Sequence, residues 1–266
     1  MNHAERACKE LQAMEELSLL NSPLHHMPAL PKLLLTVLYI LTVVSFHKYD
    51  LSALTVMLLF PVAGYQLSMI PIRTCFHKLR IVLPLVCAVG LLNPFFDRDI
   101  LFYLGSIGVS GGVISMLTLM LKGVFSLMAS FLLVATTPIE EICQALRQLH
   151  VPKLLTALLL LTFRYISVLL EEAAIMTDAY HLRAPGQKGI HISAWGSFLG
   201  QLLLRSMDRA EALYESMLLR GFYGEFTWSE KKTASAAVWS IALILSILML
   251  LCRVYNIPVL LGSLFT

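Results

Sequence analysis

Apolar and polar positions fall along this chain in long blocks. Apolar runs occupy 33–46, 51–70, 81–92 and 113–134, separated by short polar breaks, and a last one occupies 234–252. A helix needs about 20 apolar residues to cross roughly 30 Å of hydrocarbon. The runs 51–70, 113–134 and 234–252 meet that length directly. The other two are shorter and cross with help from their flanks: Lys32 and Lys48 snorkel at the ends of the first, and Phe95-Phe96 extends 81–92. The pattern predicts an all-α, polytopic integral membrane protein with about five transmembrane helices. It divides the chain into a surface segment (1–32), helices one to four (33–134), a polar insertion (135–232), and the last helix with its tail (233–266).

The insertion is polar where the rest is apolar. Its run from Leu154 to Phe163 stops at Arg164, is flanked by Lys153 and by Glu171-Glu172, and is too short to span, which fits a buried or interfacial helix. From Ile166, the positions Leu169, Leu170, Ala173, Met176 and Tyr180 recur at helical spacing until Pro185-Gly186 stops the helix. A second helix begins at about Gln201, with a seam of Leu203, Met207, Ala210, Tyr214 and Met217, and stops at Gly221. The two suit an antiparallel or crossing pair. Thr137-Pro138 with Glu140-Glu141 reads as a further helix start, Thr137 as its cap and the proline at its first position.

Composition sharpens the class. The chain is 58% hydrophobic and 14% charged, against roughly 25% charged in soluble domains, and its mean hydropathy is +0.75. A net charge of +3, scattered along the chain, gives no footprint for nucleic acid and serves better as a topology marker. Lys and Arg concentrate in 71–80 and 135–232 and are sparse in 47–50 and 93–112. The positive-inside rule then makes the N-terminus and the insertion cytoplasmic. Residues 1–32 mix Glu5, Glu10, Glu15 and Glu16 with Arg6 and Lys9 and are not a signal peptide.

Candidate chemistry is thin. Five cysteines show no CxxC spacing, the eight histidines show no i, i+4 pair, and His25 or His26 reads as interfacial. No GxxxxGK[ST], HExxH or GxSxG motif occurs, so neither ATP hydrolysis nor hydrolytic catalysis is expected, and no metal or cofactor. Lys122 inside the fourth run is a functional candidate by depth, or a structural partner within the bundle. Asp97-Arg98-Asp99 reads as a solvated turn, and Gly108 to Gly112 as a close-packed or flexible lead into the fourth span. A stand-alone secondary transporter is the alternative of a different class, although the two repeated halves with mid-membrane charges that such a protein would show are not seen in this pattern.

One signature occurs twice. Leu182-Arg183-Ala184 precedes Pro185-Gly186, and Leu219-Arg220-Gly221 precedes Phe222, each at a helix end. A cation there offsets the helix dipole. Its recurrence in a polar insertion also fits docking, for which arginine's planar fork is suited.

At these residues the chain resembles the transmembrane T component of energy-coupling factor importers. Ser22-Pro23-Leu24-His25, Leu92-Asn93-Pro94-Phe95, Thr136-Thr137-Pro138, Phe163-Arg164-Tyr165-Ile166 with Glu171-Glu172, and Asp208-Arg209-Ala210-Glu211 extend the likeness over nearly the whole chain. Many T components carry Ala-Arg-Gly or Ala-Arg-Ser at the two signatures. The leucines here, with Ala-Pro after the first arginine, look most like the cobalt branch, the CbiQ proteins. The resemblance implies a non-catalytic subunit of a prokaryotic inner-membrane importer, with two ABC-type ATPases and a small membrane subunit that binds cobalt, with nickel or a vitamin as alternatives. It makes Arg183 and Arg220, with Leu182, Ala184, Leu219 and Gly221, the ATPase-coupling residues, and Arg164, Glu171, Glu172, Asp208, Arg209 and Glu211 their support.

Overall fold

The structure is a computed structural model describing residues 3–80, 82–96, 100–104, 107–187, 189–224, 226 and 235–254. The helices are α1 (His3–Ser18), α2 (Ala29–Ser45), α3 (Leu51–Val56), α4 (Leu59–Ser68), α5 (Ile72–Leu79), α6 (Leu83–Phe96), α7 (Gly111–Thr136), α8 (Ile139–Gln148), α9 (Lys153–Arg183), α10 (Ile192–Leu219) and α11 (Ala236–Val254). A small antiparallel hairpin of β1 (Ile100–Leu104) and β2 (Ile107–Ser110) joins α6 to α7. Asp97-Arg98-Asp99 lies outside the described residues. The fold is all-α apart from that hairpin, and it forms two compact units, 17–137 with 232–266, and 1–16 with 138–231.

The first unit is organised on α7, whose 26 residues rise about 39 Å, more than the roughly 30 Å of hydrocarbon. One core joins Tyr39 and Val43 of α2, Leu54 and Met57, Phe125 and Ala129 of α7, and Met249 of α11. A second joins Tyr65, Cys75, Met128 and Leu132. Gly123 lets α6 approach α7 closely, since a Cβ there would lie 2.5 Å from Val86 Cγ1.

Three cations here, Lys32, Lys122 and Arg253, are tied to helix-end carbonyls, as an apolar medium requires. Lys32, expected to snorkel, is buried, and its Nζ donates to Thr136 O at 2.9 Å, the last carbonyl of α7. The end of α7 offers an orphan carbonyl that a cation satisfies, so an inward rotamer wins. Lys122 is a structural partner: from α7 it donates to Phe46 O and, at 3.1 Å, to Val44 O at the end of α2. Arg253 of α11 donates to Ser45 O at 2.6 Å. Antiparallel α2 and α7 thus each end on a lysine of the other.

The run 51–70 is two helices, broken at Met57-Leu58, where Tyr39 OH donates to Met57 O at 2.9 Å. At the front of the unit His25 is buried; its Nε2 donates to Leu17 O at 3.0 Å and its Nδ1 accepts from Ser22 Oγ at 2.6 Å. His26 is exposed.

Among the described residues three helices, α7, α9 and α11, are long and apolar enough to cross a membrane, and α2 and the stretch 53–68 are shorter apolar segments. The expectation that Leu154–Phe163 is too short to span rests on ending the run at Arg164. With no Pro or Gly before Pro185, α9 continues through Arg164 for 31 residues, so length alone does not keep it out of a bilayer.

Candidate functional site

In the second unit α8 begins at Ile139 with Glu140 and Glu141 in its first turn. Thr137 is not its cap. Pro138 itself takes the extended cap conformation (φ −63°, ψ 150°), which moves the start on by one residue, and Thr137 Oγ1 is buried without a hydrogen-bond partner among the described residues. The α8 end closes around His150 at φ +65°, with His150 N donating to Arg147 O and Val151 N to Leu146 O. Pro152 then caps the start of α9. Arg147 Nη1 donates to Phe226 O at 3.1 Å, fastening α8 to the segment after α10.

Arg183 is the last residue of α9. Ala184 N closes the helix on Tyr180 O at 3.0 Å, Pro185 has no N–H to continue it, and Gly186 takes φ +90°. The following loop folds back: Tyr180 OH donates to Gln187 Oε1 at 2.9 Å and accepts from His191 N. His191 caps α10 by accepting from Ser193 N, so α10 begins nine residues before the expected Gln201, at Ile192. At its other end Arg220 is the cap residue, one step past the last turn. Gly221 takes φ +79°, its N–H bonds to Leu218 O at 2.9 Å and Phe222 N to Met217 O at 3.0 Å, a Schellman closure.

Both arginines are exposed, and so are the leucines before them, Leu182 at 84% and Leu219 at 90%. Offsetting a helix dipole requires the cation alone; it gives no reason to set a leucine in the open beside it.

Helices α9 and α10 pair antiparallel. Glu172 accepts from Arg205 and lies 3.7 Å from Arg209 Nη2. A cavity of about 420 Å³ between the helices is lined by Leu158 and Tyr165 of α9 and by Leu213, Tyr214 and Met217 of α10. Of the expected seam, Ala210, Tyr214 and Met217 line this groove and Leu203 and Met207 do not; of the five only Met217 is not exposed. No described residue of α10 is buried. From the Glu172–Arg205 crossing, Arg183 lies about 16 Å along one direction and Arg220 about 22 Å along the other. The two tips therefore lie on opposite sides of that contact.

Of the support residues, Glu172 and Arg209 come together, Asp208 lines the recess beside them, and Arg164, Glu171 and Glu211 are exposed. Arg205 is the member that sequence reasoning missed; its spacing of four from Arg209 on one face was the available signal. Burial, with the Glu140 charge beside it, pushes the Cys143 thiol of α8 up from its ordinary pKa.

Apolar spans and a polar helical hairpin define a multi-pass helical membrane protein. The chain belongs to the CbiQ family of cobalt transport proteins, whose family model matches residues 20–233. The family is a membrane component of transporters. The chain is similar to the cobalt transport protein CbiQ of Rhodobacter capsulatus, at 34% identity over 42% of this chain and 47% of that one. It is similar to the nickel permease LarQ of Lactiplantibacillus plantarum at 31% identity over 35% of this chain and 34% of the relative. To the energy-coupling factor transporter transmembrane protein EcfT of Limosilactobacillus fermentum it is 24% identical, over 88% of this chain and 94% of that one. The aligned stretches thus span less than half of the first two relatives, and most of the third.

Proposed function

We propose that this chain is the coupling subunit of an ATP-driven cobalt importer of the energy-coupling factor type. The observation that carries the reading is the pair of exposed Leu-Arg tips at opposite ends of one helical hairpin, in a chain of the CbiQ family. Two ABC-type ATPases on the cytoplasmic side would each take one tip: leucine enters an apolar groove and the guanidinium fork finds carbonyls or carboxylates there. Tips that lie on opposite sides of the Glu172–Arg205 contact suit two docking partners. Closure of the ATPase pair then displaces the two tips together, and α9 and α10, joined at Glu172, pass the motion to a small membrane subunit that carries the ion. Localisation is the prokaryotic cell membrane, with the N-terminus, 71–80 and the hairpin cytoplasmic, as their Lys and Arg content supports. The membrane then holds five crossings: α2, α3–α4, α6, α7 and α11.

The test is metal uptake and co-purification with Arg183→Ala and Arg220→Ala, singly and together. Each single variant loses most uptake while the chain still inserts, and the double variant no longer carries the ATPases through purification. Normal uptake in the double variant overturns the proposal. The likeness to a nickel permease favours one second reading, nickel as cargo, which competition between the two ions in the same uptake assay decides.

A further inference from the structure

After α10 the chain makes a compact turn that sorts two neighbouring aromatic side chains differently. Gly221 and Gly224 take φ +79° and +85°, a left-handed conformation that a Cβ disfavours. Between them Phe222 is half-buried and Tyr223 is in the open. Phe222 lines the groove of α9 and α10, and its ring lies 5.1 Å from that of Phe226. Tyr223 is 93% exposed, more than the leucine of either tip. The turn is held on both sides: Phe222 N donates to Met217 O at 3.0 Å, and Arg147 Nη1 of α8 donates to Phe226 O at 3.1 Å. A tyrosine on a loose tail is exposed by default. One on a turn fastened at both ends keeps a fixed place in the open.

We infer that Tyr223 is a third docking residue of the Arg220 tip, beside Leu219 and Arg220, and that its ring enters a pocket on the ATPase that takes this tip. This role rests on the coupling function proposed above. Tyrosine and arginine are the residue types that dominate interface energy: a rigid ring buries roughly 150 Å² or more with two torsions to order, and its hydroxyl finds a polar partner beyond the pocket. Charge decides between a protein and the membrane surface as the partner. From Glu211 to Gly224 the chain carries two carboxylates, Glu211 and Glu215, and one cation, Arg220, a balance that gives anionic headgroups no hold. The Arg183 tip lacks a counterpart. Ala184, Pro185, Gly186 and Gln187 follow it, and the nearby Tyr180 is half-buried with its hydroxyl engaged by Gln187 and His191. Two tips alike in Leu-Arg therefore hold their partners unequally, one through two residues and the other through three.

The experiment uses the full chain in its native membrane and in the complex purified from it. p-Benzoylphenylalanine in place of Tyr223 is irradiated in the membrane and its products are identified by mass. Dissociation of the ATPases from the immobilised complex is then timed for the wild type, Tyr223→Ala, Tyr223→Phe and Arg220→Ala. The crosslink joins position 223 to an ATP-binding-cassette chain, Tyr223→Ala speeds dissociation roughly tenfold or more, and Tyr223→Phe keeps most of the hold. Melting of the chain without its ATPases is the same in all four. A crosslink to lipid alone, or Tyr223→Ala dissociating as the wild type does, overturns the docking role. If Arg220→Ala still releases the ATPases, the coupling function stands and Tyr223 alone falls; if no ATPase accompanies the wild type, both fall.

Discussion

Lys122 sits in the apolar helix α7, and its ammonium is held by the last carbonyls of α2, while Lys32 does the same for α7. Helix ends leave carbonyls unpaired, and hydrocarbon has no water to offer them. Lys122→Met is expected to lower stability by about 2 kcal/mol, the usual worth of a hydrogen bond to a charged group, and a melting curve in detergent checks it. Lys32→Met should cost a similar amount. His150, left-handed at φ +65°, gives a prediction of opposite sign: His150→Gly raises stability by roughly 0.5–1 kcal/mol, because glycine carries no Cβ into that conformation. The Cys143 thiol, buried and raised in pKa, stays protonated where an ordinary thiol ionises. Maleimide should label half-buried Cys8 well before Cys143, and Cys143 labelling should begin only as pH climbs above the usual thiol range, near 8.5.

At the scale of elements, close approach and pairing decide what the helices do. Gly123 admits Val86 against α7. Gly123→Leu overfills that contact and should destabilise the α6–α7 pair by about 1–3 kcal/mol, read as a lower melting temperature with insertion intact. The Glu172 site is different in kind. Its arginine partners are about half exposed, so Glu172→Gln should cost no more than about 1 kcal/mol of stability. If Glu172 joins α9 to α10 during transport, the same variant slows uptake by far more than that loss explains. Uptake and melting measured on one preparation separate the two effects.

For the whole molecule, the prediction that matters is division of labour: replacing Arg183 or Arg220 stops transport and leaves the bundle folded, whereas replacing Lys32 or Lys122 weakens the bundle first. Melting and uptake should rank these two pairs in opposite orders. An arginine-to-lysine change at either tip keeps the charge and loses the fork, so it should restore little uptake if docking is bidentate, and most of it if charge alone serves.

The sequence by itself determined the all-α membrane class and where α9 and α10 stop, because each depends on one stretch of chain. Apolar runs report how much of a segment tolerates hydrocarbon, Pro185 and Gly221 stop helices by their own backbone chemistry, and the two Leu-Arg signatures are legible as text. It misled where a local rule had a competitor one residue away: Thr137 lost its cap role to Pro138, and Arg164 looked like an end but is an exposed point on a continuous helix. What only the tertiary structure decided are the pairings across long chain separations. Lys32 with Thr136, Lys122 with the α2 end, and Glu172 with Arg205 have no periodicity to announce them. They follow from which helices pack together, and that is a property of the assembled core, not of any window of sequence.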